Sequence, residues 1–247
     1  MRQEGVQAHQ HLGSERMSAY HTSRDFEAEL RELRATLLAM GARCERSLQL
    51  AIKAYVEDAP DLAREVIEID RRINRDEMES DELALRIIAL RQPVAYDLRL
   101  ITTALKLVTD LERIGDEAVN IAERAAEDRD GEQKRAPSDI LRKMALLAEQ
   151  MLRDALDAFV ESDVERANRV READDAVDDL YGEALRQMMD FMARFPDKIP
   201  SAVRAMSVAK YLERIADHAT NIAEEVIFMV DGQDVRHRSN APKSLPT

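Results

Sequence analysis

Apolar residues recur along most of this chain at alternating steps of four and three. Phe26, Leu30, Leu33, Leu37, Met40 and Cys44 follow that spacing, which keeps all six on one side of a helix turning roughly 100° per residue. The pattern predicts a first helix over 24–58. Asp61 opens a second periodic segment that reaches Arg91, Gln92-Pro93 interrupts it, and a third runs from Val94 to Asp128. DRDGEQKRAPSD, with Gly131 and Pro137, is polar turn chemistry and reads as a linker. The rhythm then restarts. Ile140, Met144, Leu147 and Met151 repeat the spacing, Glu161-Ser162-Asp163 breaks it, a fifth segment extends to Phe195, and the sixth follows Pro196 to Pro200 and ends at Val230. Pro60, Pro93, Pro137, Pro196 and Pro200 fall between the segments, as expected of a residue that removes a helical hydrogen bond and clashes with the preceding turn.

Six helices in two sets of three predict an all-α fold of two tandem antiparallel three-helix bundles. It should be elongated, because a helix of roughly 30 residues is about 45 Å long. The expected units are 24–130 and 136–232, with a disordered arm at 1–23 and a flexible tail at 233–247. The arm carries His9, His11 and His21 without periodicity, and Met17 could equally begin the chain. Aromatic residues make up only 4% of the chain and Trp is absent, so the core must be built from Leu, Ile, Val, Ala and Met, a palette that favours helices.

The third helix of each set carries nearly the same words. LERIGDEAVNIAE (111–123) and LERIADHATNIAE (212–224) differ only at Gly115/Ala216, Glu117/His218 and Val119/Thr220, which points to a duplicated helical unit. On a helical wheel Glu112, Asp116, Asn120 and Glu123 lie within about 80° of one another. They border an apolar arc of Leu111, Ile114, Ala118, Ile121 and Ala122, while Lys106, Arg113, Glu117 and Arg124 cover the far edge. Glu213, Asp217, Asn221 and Glu224 reproduce the line. The second helix holds a matching set, Asp70, Asn74, Glu77 and Asp81. The fifth has Asp174 and Asp178, then Tyr181 and Leu185 where the second has Glu77 and Asp81.

Like charges four apart cost roughly 0.2–0.5 kcal/mol per pair on an exposed helix, so something should offset them. One candidate is a hard cation held by oxygen ligands between neighbouring helices. The other readings are a solvated acidic face relieved by Arg residues and salt, and a docking surface for basic loops of a partner. The residues alone leave these open.

Thirty-six Lys and Arg against 49 Asp and Glu give a net charge of −13, which disfavours nucleic acid and anionic lipid as partners. Cys44 is the single cysteine, so no intrachain disulfide is possible, and its apolar position predicts a buried structural role. No apolar run is long enough to span a bilayer and the first residues lack a secretory h-region, so a cytoplasmic protein is expected. Catalysis is not expected. None of the five histidines has Glu three residues before it, as a di-iron carboxylate bundle requires, and there is no Gly-rich phosphate loop or nucleophile elbow. His218 reads as a plain surface histidine.

These segments resemble the phosphate-uptake regulators of the PhoU type. QPVAYDLRLI followed by DLERIGDEAVNIAE is similar to that family's first signature, and YLERIADHATNIAE with the closing FMVDGQDVRHRS to its C-terminal one; RDFEAEL and IEIDRRIN extend the resemblance over about 24–238. The resemblance implies two tandem three-helix bundles, often dimeric. It also implies a negative regulatory role when phosphate is plentiful, linking the phosphate ABC transporter's ATPase subunit to a phosphate-sensing histidine kinase. Some members carry metal on paired E(D)-x-x-x-D motifs. Carried over by position, the candidate metal ligands are Glu112, Asp116, Asp70, Glu77 and Asp81 in unit one, and Glu213, Asp217, Asp174 and Asp178 in unit two. The ion could be Mg, Ca, Mn, Fe or Zn. Unit two departs from the pattern at Tyr181, and Asn74 stands in unit one where unit two has Asp178, so unequal occupancy is expected, with firmer binding in unit one. A metal-binding helical protein with a structural or unrelated regulatory role is the alternative.

Overall fold

The structure is a computed structural model that describes residues 4–127 and 136–235, with side chains from Arg24 onward. It contains six α-helices: α1 (Glu4–Glu57), α2 (Pro60–Arg91), α3 (Ala95–Glu127), α4 (Asp139–Glu161), α5 (Val164–Arg194) and α6 (Ile199–Asp231). A 3-10 turn at Pro196–Lys198 precedes the last. Among the described residues there is no strand. α1 begins at Glu4, ahead of the expected position 24. The arm expected at 1–23 falls on residues whose side chains lie outside the described ones. Most of the expected linker, and all of the tail beyond Val235, also lie outside them.

Two of the five prolines differ from expectation. Pro60 and Pro200 sit in the first turn of α2 and α6, where a missing N–H breaks no helical bond and the fixed φ suits the helix. The other ends follow local chemistry. Gln92, Ser162 and Gly232 close α2, α4 and α6 in left-handed conformations, each N–H donating to the carbonyl four residues back. At Gly232, φ is +70°, a region that costs glycine nothing. The Asp163 carboxylate accepts from the Arg166 N–H and starts α5.

The apolar stripes find their core. Leu33, Leu37, Met40 and Cys44 are fully buried, Leu30 nearly so, and Phe26 packs at the margin. Each fully buried Leu or Met contributes about 1.5–3 kcal/mol of apolar transfer. The Cys44 thiol donates to the Leu111 carbonyl at 3.2 Å, joining α1 to α3, and burial pushes its pKa up, away from thiolate chemistry. Leu111, Ile114, Ala118, Ile121 and Ala122 are buried as expected.

α1, α2 and α3 pack on one another, as do α4, α5 and α6. The two bundles then lie side by side. α3 runs antiparallel along α6: Arg99 bonds the Met229 carbonyl near one end and Arg214 bonds Glu117 toward the other. Behind this seam α1 meets α4, where Gly41 admits the Leu156 side chain and Arg153 pairs with Glu45. α2 and α5 contact only helices of their own unit. The result is a front row in the order α2, α3, α6, α5, backed by α1 and α4, with one continuous apolar core through both units.

Candidate functional site

In unit one the groove between α2 and α3 is narrow because α3 has glycine there. A Cβ at Gly115 would lie 3.1 Å from Ile73 Cδ1 and 3.2 Å from Asp70 Oδ1, so the bare backbone lets the Asp70 carboxylate tuck in beside it. Asn74 donates to the other Asp70 oxygen at 3.2 Å. Asp70 Oδ1 and Asn74 Oδ1 are buried and have no hydrogen-bond donor among the described residues. Around them Glu77, Glu112 and Asp116 share one electrostatic environment. Desolvation pushes Asp70, Glu77, Glu112 and Asp116 above the usual carboxylate range. Repulsion adds to it: from Asp116 on Asp70, from Asp81 and Asp116 on Glu77, and from Asp116, Glu77 and Asp70 on Glu112.

The α5–α6 groove of unit two brings Asp174, Asp178, Glu213 and Asp217 together in the same way. The Asp217 carboxyl is pushed up to about 6, first by desolvation and then by the charges of Glu213 and Asp174. Asp174 and Asp178 are also raised, again chiefly by desolvation. Two local partners distinguish this cluster from the first. Lys210 Nζ donates to both Glu213 oxygens, at 2.7 and 2.6 Å, and lies 5.6 Å from the centre of the Tyr181 ring. The Thr220 hydroxyl reaches Asp174 at 3.3 Å.

All nine candidate ligands therefore fall into the two expected clusters. Among the described residues, however, no three His, Cys, Asp or Glu side chains converge as a ready-made metal site. The donors are the oxygen ligands that a hard cation takes, and the Asp70 and Asn74 oxygens have no hydrogen-bond donor among the described residues.

The longer acidic lines do not continue past these clusters. Asn120 donates to Glu117, and Asn221 donates to Asp110 across the seam. Glu224 is buried and paired with Arg171. Glu117, expected on the far solvent edge, is buried against Arg214. His218 is not a plain surface residue either: its Nδ1 lies 2.9 Å from an Asp110 oxygen, with both side chains about 15% exposed. For Glu117, His218 and Asn221 the partner comes across the α3–α6 seam, and for Glu224 it comes from α5, which a single helix cannot reveal. The Lys210–Glu213 pair has a signal in the sequence, since Lys210 stands three residues before Glu213, one helical turn away on the same face.

Residues 37–125 and 141–226 each match the family model for the PhoU domain. The chain is 44% identical over 219 residues to the phosphate-specific transport system accessory protein PhoU homolog of Pseudomonas putida, covering 88% of this chain and 85% of that one. It is 40% identical to the phosphate-specific transport system accessory protein PhoU of Escherichia coli, covering 88% and 90%. The crystal structure of PhoU from Pseudomonas aeruginosa superposes with a TM-score of 0.80 at 42% identity, over 84% of this chain and all of that one. The phosphate transport system regulatory protein PhoU from Streptococcus pneumoniae gives 0.78 at 26% identity, over 85% and 99%.

Proposed function

Because this chain belongs to the PhoU family, we propose that it is an accessory protein of a phosphate-specific transport system, working as an adaptor between that transporter and phosphate sensing. In this reading it contacts the transporter's ATPase subunit and a phosphate-sensing histidine kinase at the cytoplasmic face. When phosphate is plentiful it restrains uptake and the starvation response. The observation that carries the reading is the coincidence of both matched family segments with the two helical units, each bearing a carboxylate cluster on its second and third helices. Adaptor work also suits the surface. Met78 and Leu85 stand exposed beside Glu77 and Asp81, and Met189, Ile199 and Val203 stand exposed in unit two. Apolar residues next to a charged groove are what a docked partner covers. No helix among the described residues is long and apolar enough to cross a membrane, which fits attachment through partners. Deleting the gene should switch on phosphate-starvation genes in phosphate-rich medium, read by transcript level. Unchanged transcripts would sink the regulatory assignment.

The cation reading is carried by the orphaned Asp70 and Asn74 oxygens. When bound, a divalent or iron cation would supply the positive charge that relieves the repulsion among Asp70, Glu77, Asp81, Glu112 and Asp116. The chain's own part is to hold these carboxylates together and partly shielded from water. Elemental analysis of protein purified without chelator should find metal that is lost in the Glu112→Ala/Asp116→Ala variant while the helical signal is kept. Metal-free wild type prepared this way would remove the idea.

A further inference from the structure

The two carboxylate clusters are related by the repeat but are not electrostatically equivalent, and the difference lies in one side chain. We propose that Lys210 is a built-in counter-cation that closes the unit-two cluster, so that only the unit-one cluster takes a divalent ion. The proposal rests on the cation reading above for unit one, and on the geometry of this chain alone for unit two.

Lys210 sits where a metal would be most useful. Its ammonium bridges both oxygens of Glu213, and its field also reaches Asp178 and Asp217, opposing the repulsion there. The Tyr181 ring beside it holds the ammonium over the groove. Register explains why unit one lacks this device. The repeat that sets Leu111 against Leu212 places Thr109 opposite Lys210, and the second-helix register places Glu77 opposite Tyr181. Unit one thus has a neutral hydroxyl where unit two has a cation, and a carboxylate where unit two has an aromatic ring. Thr109 does not enter the cluster, since its hydroxyl donates back to the Leu105 carbonyl. The unmet demand differs accordingly. Buried acceptors without donors occur at Asp70 and Asn74 in unit one, and none occurs at the described carboxylates of unit two.

A dication entering unit two would have to share Glu213 with the ammonium. At equal distance the ammonium repels it as strongly as one carboxylate attracts it. With Glu213 held by Lys210 and Tyr181 standing where unit one has Glu77, unit two also offers a dication fewer free carboxylates than unit one.

The test uses the full chain, stripped with chelator and titrated with MnCl2 alone, following bound Mn per chain by calorimetry and by loss of the free-ion magnetic resonance signal. Wild type should load one cluster. Glu112→Gln/Asp116→Asn should abolish uptake, Asp217→Asn should leave it unchanged, and Lys210→Thr, which copies Thr109, should raise bound Mn about twofold. Lys210→Gln removes the charge while keeping the length, and it serves as a second variant should Lys210→Thr lose its helical signal. The proposal is overturned if Asp217→Asn lowers uptake as much as Glu112→Gln/Asp116→Asn does, or if neither Lys210 variant binds more Mn than wild type. Wild type that binds no Mn would remove the cation reading of unit one; the counter-cation role then stands if a Lys210 variant gains Mn and falls if neither does.

Discussion

Asp217 shows how the environment of one side chain becomes a property of the protein. Its carboxyl titrates near 6 in the fold, against 3.8 when unperturbed, because the groove strips its water and Glu213 and Asp174 add repulsion. The folded state therefore binds this proton more tightly than the unfolded state does. The penalty is absent below about pH 4, grows as pH rises, and is complete above about pH 6. The raised carboxylates of unit one act in the same sense. Glu29 and Asp163, whose pKa values are lowered, lose their contribution only below the ordinary carboxylate range, outside that window. In chelator-treated protein, Asp217→Asn should raise the melting temperature at pH 7.5 by on the order of 1–3 °C, a modest figure because the side chain is partly exposed. The gain should shrink toward pH 5. A variant that melts below wild type at pH 7.5 in thermal scans would contradict this account.

Between elements, the α3–α6 seam is a mix of apolar contact and ion pairs whose partners are unequally buried. Glu225 has only 6% of its side chain exposed and holds Lys106 at 2.9 Å through both oxygens. The ammonium meets both oxygens of a desolvated carboxylate, so losing it in Lys106→Ala should cost about 1–3 kcal/mol in urea unfolding. Adding Glu225→Gln should recover most of the loss. A loss that the second substitution leaves untouched would mean that packing of the lysine stem, not charge, holds the seam. This seam also marks where sequence reasoning stopped. Phase along one helix assigns a face, which is why Leu33, Leu37, Met40 and Cys44 were legible as core, and Glu112 and Asp116 as the border of that core. Phase does not say which helix comes to lie against that face. Glu117, Glu224 and His218 read as surface because charge ordinarily means water. They are at or near burial because their partners Arg214, Arg171 and Asp110 lie 97, 53 and 108 residues away in the chain. Lys210 was legible in principle from its spacing to Glu213, and its meaning emerged only beside Tyr181.

Across the whole molecule, the continuous core makes the two repeats energetically one body. Buried apolar residues of both units belong to one cluster, and Gly41 lets α1 close against Leu156 of α4 behind the seam. Thermal unfolding should therefore be a single transition. Met188→Ala, a cavity in the core of unit two, should lower the melting of the entire chain, with calorimetric and van't Hoff enthalpies in agreement. Two resolved transitions, only one of them shifted, would show that the units unfold separately.

The antiparallel seam also decides where the chain emerges from α6. Arg99, in the first turns of α3, grips the Met229 carbonyl at the last turn of α6, so the chain leaves unit two's final helix beside the opening of unit one's third. A fluorophore attached at Gln233 thus sits next to the α2–α3 corner of the opposite repeat. In a binding assay it would register events at the first unit, even though it follows the second in the chain.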